Sequence, residues 1–269
     1  MSQPTKPDRL SVLVFSKDRP LFLKTCIETL SFSSLDVTVL YLTTSDAYAK
    51  AYAELVARFP AVKFVRQGAP GDIRPYLRTW LETATDLVMV TVDDNVFSGK
   101  IDLEAVQRTM ADPEVFGFSL RLAPGIFRSQ DKSVSATCPE PTGDVIVFEP
   151  AKYQCPWNYV WEMSSTFYRK DAMKRVVESA AIANPNDLEI VGLRLFNFQT
   201  VKRMACFKWA PATNVFVDSW ASPQCVSNHV TNEMALRLYN EGKEIDVKET
   251  FRERDRQGIT HVKKLFLKP

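Results

Sequence analysis

Glycine is scarce in this chain. Nine occur in 269 residues, and none falls into a GxGxxG or GxxxxGK[ST] spacing, so the usual sequence support for a dinucleotide turn or a P-loop is missing. Cysteine does not organise the chain either. Cys26, Cys138, Cys155, Cys206 and Cys225 are odd in number and form no close pair, which argues against a zinc ribbon or a disulfide framework and suits a reducing, cytoplasmic setting. Charge of one sign is lacking too: the formal net charge is +2, too small for a nucleic-acid groove, and basic residues cluster only at Lys263, Lys264 and Lys268. No run approaches the roughly 18 apolar residues of a membrane span, and the opening MSQPTKPDRL has no signal-peptide core. At most peripheral membrane contact is expected.

What remains is ordinary globular material, 45% hydrophobic and 25% charged, with enough length for one large α/β domain. Leu10 to Phe15 reads as a buried strand, followed by the polar turn Ser16-Lys17-Asp18-Arg19-Pro20 and a helix with Leu23, Cys26, Ile27 and Leu30 on one face; Asp18 is its expected cap. The unit repeats as strand Val37 to Leu42, cap Asp46, and a stripe through Tyr48, Ala51, Tyr52, Leu55, Val56 and Phe59. A third repeat runs from strand Val62 to Val65 into a helix carrying Ile73, Leu77, Trp80 and Leu81. Strands alternating with helices imply right-handed crossovers and a mainly parallel sheet.

The organising stretch is Leu87 to Phe97, LVMVTVDDNVF. A strand buried on both faces cannot keep carboxylates in its body, so Asp93 and Asp94 must lie where it leaves the sheet, the edge at which open α/β sheets bind ligands. Two acids and Asn95 offer hard oxygen ligands for Mg²⁺ or Mn²⁺, shared with a substrate phosphate. Ser16 to Arg19 and Thr43 to Asp46 are expected at the same edge, with Arg74 and Arg78 of the third helix as phosphate contacts. Each of these residues also has a plain reading as a solvated turn or helix surface.

Beyond Asn95 the regularity declines. Asp102 can cap a helix around Val106 and Met110, and Val115 to Leu122 is a strand. Leu122 to Asp144 is long for a connection, and reads as a substrate-covering loop or an insertion. Tyr153, Trp157, Tyr159 and Trp161 supply core or a sugar-stacking wall beside Glu162. Asp171 is expected to cap a helix through Val177, and Asn184 to Asp187 opens another bearing Leu188, Glu189, Val191 and Leu195. Strands are expected at Cys206 to Trp209 and Val215 to Val217, then a helix from Glu233 to Asn240, a polar helix, His261 and a strand-like VKKLFL. With no repeat or linker, the reading is a single domain, 1–269, with a nucleotide half at 1–98 and an acceptor half at 99–269.

VLVFSKDRPLFLKTCIETL, with Arg19-Pro20, Leu23 and Ile27 to Leu30, together with DLVMVTVDDN, resembles GT-A fold, nucleotide-sugar glycosyltransferases of the family 2 type. Asp187-Leu188-Glu189 with Arg194 resembles that family's catalytic acidic motif, and NPNDLE and NEMALRLYNEGKEIDV resemble segments of lipopolysaccharide and capsule-type transferases. The resemblance implies a Rossmann-like, mainly parallel sheet with helices on both faces and an acceptor-side lobe. It implies metal-dependent, inverting transfer from a nucleoside-diphosphate sugar to a glycan or lipid-linked acceptor, in cell-surface polysaccharide synthesis. By the same resemblance Phe15, Ser16, Lys17, Arg19, Asp46, Arg74, Arg78 and Asp93 contact the donor nucleotide, Asp93, Asp94, Asn95 and His261 hold a divalent Mn or Mg ion, and Glu189 is the base, with Glu162 its alternative. Arg78 stands where the family usually carries Asn, and Asn95 where Asp is commoner. A nucleotidyltransferase and a non-catalytic nucleotide-sugar-binding protein are the other classes that fit an acidic site on such a sheet.

Overall fold

The computed structural model describes residues 10–30, 34–99, 101–129, 134–215 and 230–269. The predicted alternation is found: β1 (Leu10–Lys17), α1 (Pro20–Thr29), β2 (Leu35–Leu42), α2 (Asp46–Arg58), β3 (Lys63–Arg66), α3 (Arg74–Thr83) and β4 (Leu87–Val92). These four strands lie in the order β3-β2-β1-β4, all parallel. The second half supplies β5 (Asn95–Phe97), α4 (Leu103–Met110), β6 (Val115–Ser119), β7 (Val145–Phe148), β8 (Thr166–Arg169), α5 (Lys170–Ser179), α6 (Pro185–Leu195), β9 (Arg203–Phe207), β10 (Ala212–Val215), α7 (Asn232–Asn240), α8 (Val247–Gln257) and β11 (His261–Val262).

The main sheet has eight strands, ordered β3-β2-β1-β4-β8-β6-β9-β7. β8 runs antiparallel to both β4 and β6, β6 pairs parallel with β9, and β7 closes the edge antiparallel to β9. The result is the mainly parallel, Rossmann-like α/β sheet that the alternation demanded. A second sheet of three strands, β11-β10-β5, stands at its end.

Side-chain alternation divides the core between the two faces of the sheet. Val12 and Val14 pack with Leu23, Ile27, Tyr52, Leu55 and Val106 under α1, α2 and α4. Leu13 and Phe15 pack with Leu77, Trp80, Met173, Val176, Leu188 and Val191 under α3, α5 and α6. A third cluster, including Leu21, Phe22, Val96, Val215, Ala235 and Phe251, ties α1 to the small sheet, α7 and α8. Each fully buried aliphatic or aromatic side chain contributes about 1.5–3 kcal/mol.

Several local expectations change. Asp18 does not cap α1: its φ is +56°, and its carboxylate accepts instead from the Thr44 amide and hydroxyl, each at 2.8 Å. Arg19 takes the N-cap position without a side-chain bond. Ser45, not Asp46, stands at the N-cap of α2, and Arg169, not Asp171, at that of α5, with each Asp in the first helical turn. Asp102 does cap α4, accepting from the Ala105 amide. Of the 122–144 connection, Leu122, Ala123 and Ile126 are buried, Arg128 bridges to Val134 and to Ile259 beyond α8, and residues 130–133 lie outside the described residues. Of VKKLFL, Val262 alone joins a named strand, while Leu267 bridges to Ile245. Of the strand expected at Val215 to Val217, Val215 ends β10, and Phe216 and Val217 lie outside the described residues. Among the described residues no helix is long and apolar enough to cross a membrane.

Candidate functional site

The carboxylates appear where the apolar run forced them, at the turn between β4 and β5. Because β1 and β4 are neighbours, this turn meets the Ser16–Arg19 loop directly, and the Asp93 amide donates to the Phe15 carbonyl at 3.0 Å. Asp93 is fully buried. Its carboxylate accepts from Ser16 Oγ at 2.6 Å and pairs with Arg19 Nη2 at 2.6 Å. The Tyr52 hydroxyl bonds Ser16 and accepts from the Arg19 amide at 3.2 Å, closing the loop from below. Asp94 stands further out, its oxygens approached by Arg19 Nη1 at 3.4 Å and Asn214 Nδ2 at 3.2 Å. Burial raises both carboxyl pKa values above the ordinary range, and Arg19 opposes the rise.

The small sheet brings in the far end of the chain. Asn214 of β10 is the register partner of both Asn95 and His261, and the Val215 amide donates to the Asp94 carbonyl at 2.7 Å. Arg121, just past β6 and almost fully buried, pairs with Glu162 and donates to His261 Nε2 at 3.0 Å. A guanidinium only donates, so Nε2 must present its lone pair to Arg121, and the proton of the neutral ring sits on Nδ1, facing Thr260 Oγ1 at 2.7 Å. Burial, then Arg121 and Lys263, hold the imidazole pKa well below its usual value.

The third wall is α6. Asn184 caps it, accepting from the Asp187 amide at 3.1 Å, and its Glu189 accepts from the Tyr159 hydroxyl at 2.9 Å. The acidic residue in the first turn of α6 is Asp187, so Glu189, beyond it, feels the helix dipole only weakly, and its carboxyl stands above the ordinary range. Burial is the largest cause, and the Tyr159 hydrogen bond and Arg121 act against it. Desolvation outweighs a dipole contribution that is worth only ~0.3–1 kcal/mol at an exposed site.

These walls enclose a cleft of about 270 Å³, lined by Phe15, Ser16, Lys17, Arg19, Asp94, Glu189 and His261 from the predicted set, with Leu40, Leu42, Gln67, Ile73, Val92, Ser164 and Asn214. Other expected residues stand apart from this lining. Asp93 lies behind Arg19. Asn95 turns inward, its amide donating to Thr91 Oγ1 at 2.8 Å and the Val92 carbonyl at 3.3 Å. Asp46 is exposed on α2, and its neighbour Thr44 is held by Asp18. Arg74 is paired with Asp72 at 2.6 Å, while Arg78 is exposed one turn further along α3. Glu162 is buried beneath the cleft, bonded to Thr166 and Arg121, and its carboxyl pKa is raised by that burial. Trp157 and Trp161 are core, at 1% and 0% exposure, and form no sugar wall. Sequence reasoning missed Arg121, Asn214 and Gln67. Arg121 did leave a signal, since a lone arginine inside the apolar run VFGFSLRL needs a buried partner.

Among the described residues no three His, Cys, Asp or Glu side chains gather into a metal-holding group. The donor set does fit an ion held jointly with substrate. Asp94 faces the cleft, and the side chains around it balance in charge, Lys17 and Arg19 against Asp93 and Asp94, which leaves a diphosphate's charge uncompensated. His261 fits less well while its lone pair serves Arg121.

No family profile matches this chain. Among curated proteins it is similar to the bifunctional glycosyltransferase pgtA of Dictyostelium discoideum, 23% identical over 223 residues, which is 70% of this chain and 28% of that protein. The chain therefore spans 28% of that relative's length. Among solved structures it is similar to the mannosyltransferase PcManGT from Pyrobaculum calidifontis in complex with GDP-Man and Mn²⁺, with TM-score 0.43, 14% identity, and coverage of 73% of this chain and 57% of that one. It is also similar to S. aureus TarS, with TM-score 0.46, 11% identity, and coverage of 74% and 35%.

Proposed function

We propose that this chain is a GT-A type glycosyltransferase that moves a sugar from a nucleoside-diphosphate sugar to an acceptor hydroxyl, with inversion. The observation that carries this reading is the composition of one cleft. Phe15, Leu40, Leu42, Ile73 and Val92 give it an apolar region suited to a nucleoside; Lys17, Arg19 and Asp94 give it a charged region suited to a diphosphate; Glu189 adds a carboxylate from a separate element.

The residues divide the chemistry. Lys17 and Arg19 attract the diphosphate and stabilise the charge that grows on it as the glycosidic bond breaks. Glu189, when ionised, accepts the acceptor hydroxyl's proton, a contribution worth about 10² to 10⁴ in rate. Asp94 would hold a divalent Mn or Mg ion, which would supply Lewis-acid neutralisation of the leaving group. Asp93, fully buried behind Arg19, positions that arginine. Glu162 positions Arg121. A glycan or lipid-linked acceptor in cell-surface polysaccharide synthesis, and a cytoplasmic setting, complete the proposal; Cys26, Cys138 and Cys206 are free thiols, which suits a reducing compartment.

The test is a thermal-shift and hydrolysis panel of UDP-glucose, UDP-galactose, UDP-N-acetylglucosamine and GDP-mannose, each with and without Mn²⁺. A donor that raises Tm, and is slowly cleaved to its nucleoside diphosphate, is expected. Stabilisation without cleavage favours a binding protein, and no shift with any member removes the donor reading.

A further inference from the structure

Glu189 is not alone at the cleft. Its Oε1 accepts from the Tyr159 hydroxyl at 2.9 Å, and the segment that carries Tyr159 is fixed on both sides. Trp157, at 1% exposure, donates its indole N–H to the Ile126 carbonyl at 2.9 Å, and Trp161 is fully buried. α6 lies so close to Trp161 that a Cβ on Gly192 would fall 2.0 Å from its indole nitrogen, and Gly192 lies one helical turn beyond Glu189. Two well-packed pieces therefore meet where Tyr159 bonds Glu189.

We propose that Tyr159 is a positioning residue for Glu189: its hydroxyl occupies Oε1, so that Oε2 is the atom presented to the acceptor hydroxyl. This rests on Glu189 being the base. In the step itself the acceptor O–H breaks, its proton passes to Oε2, and its oxygen forms the new bond as the sugar–diphosphate bond breaks. Tyr159 keeps its proton, since burial and then the neighbouring Glu189 push the phenol well above its ordinary range.

Charge around Glu189 has named sources. Tyr159, Arg121 and Glu162 face it from neighbouring elements; Asp187 shares its helix and is tied to the Ala183 amide and the Asn184 side chain. Lys17, Arg19, Asp94 and His261 share the cleft. Of these, the Tyr159 hydrogen bond and Arg121 pull the carboxyl pKa down against burial. Removing the hydroxyl must therefore raise it, and the acid limb of the rate profile must move to higher pH. A tyrosine that only filled space would leave that limb in place.

The experiment titrates protein labelled with δ-¹³C glutamate, the Glu189 signal being identified by its loss in Glu189→Gln, and measures cleavage of UDP-glucose or GDP-mannose against pH. In Tyr159→Phe the Glu189 titration is expected to move upward. The rate near neutral pH should fall about tenfold, the lower end for losing a hydrogen bond to a charged group, and recover as pH rises, with KM for the donor unchanged. 3-Fluorotyrosine at 159 is a stronger donor that preserves packing, so it should move the titration downward even if Tyr159→Phe folds poorly. An unmoved Glu189 titration in both variants overturns the positioning role. Wild-type cleavage by Glu189→Gln overturns the base itself, which is a separate failure.

Discussion

Asp94 and His261 line one cleft, yet substitution should separate them. Asp94→Ala is expected to remove the Mn²⁺-dependent part of the Tm rise produced by UDP or GDP, the whole rise being worth about 2.7 kcal/mol where free ligand is a hundredfold above Kd. His261→Ala is expected to keep that part, because its Nε2 lone pair is turned to Arg121, while costing about 1–3 kcal/mol of stability because a buried Arg121 N–H loses its acceptor. Loss of the Mn²⁺ increment in His261→Ala would mean that Arg121 swings aside and the imidazole does ligate. At this scale the sequence is unevenly legible. Asp93 and Asp94 could be placed at a strand end because the apolar run before them leaves no alternative. Which of the two faces the cleft could not, since that depends on Arg19 reaching Asp93 first. Glu189's raised pKa was equally hidden, because a helix position is visible in sequence and its burial is not.

Helix α6 concentrates the element-scale lesson. Its existence and inward face, Leu188 and Val191, follow from spacing, and its start from the Asn184 to Asp187 segment, of which the structure makes Asn184 the cap. Its distance from Trp161 does not, because that is set by a glycine whose missing Cβ has no period. Gly192→Ala weighs two effects. Helix propensity favours alanine by about 1 kcal/mol, whereas a Cβ placed 2.0 Å from the indole nitrogen requires the helix to shift, and such overpacking costs about 1–3 kcal/mol. Sterics should win, so the urea midpoint is expected to fall and donor cleavage with it, as Glu189 is carried off Tyr159. A midpoint that rises would mean that α6 stands further out than described. The long connection is hard to read for a related reason: its length fits a lid or an insertion, whereas packing of Ile126 and the bridge from Arg128 to Ile259 are tertiary facts.

At the scale of the molecule, Arg121 joins strands that are far apart in sequence. It pairs with Glu162 and contacts His261 and Asn214, so Arg121→Met should destabilise the protein by about 3–5 kcal/mol, the cost of leaving a buried ion unpaired. Adding Glu162→Gln should return much of that in denaturant melts, and a double variant no better than the single would locate the cost elsewhere. The sheet order has another consequence, and it concerns synthesis. β4 ends at Val92, but its outer neighbour β8 begins only at Thr166, after β6 and β7 have been made. At ~5–20 residues per second the ribosome leaves the edge of β4 unpaired for roughly 4–15 s. For that interval VMV, buried at 0–1% in the finished sheet, lines an open strand able to pair with another nascent chain. Chains arrested between β4 and β8 should therefore recruit a chaperone or self-associate, and chains arrested well after Arg169 should not; equal aggregation of the two would show that another element shields β4 until its partner arrives.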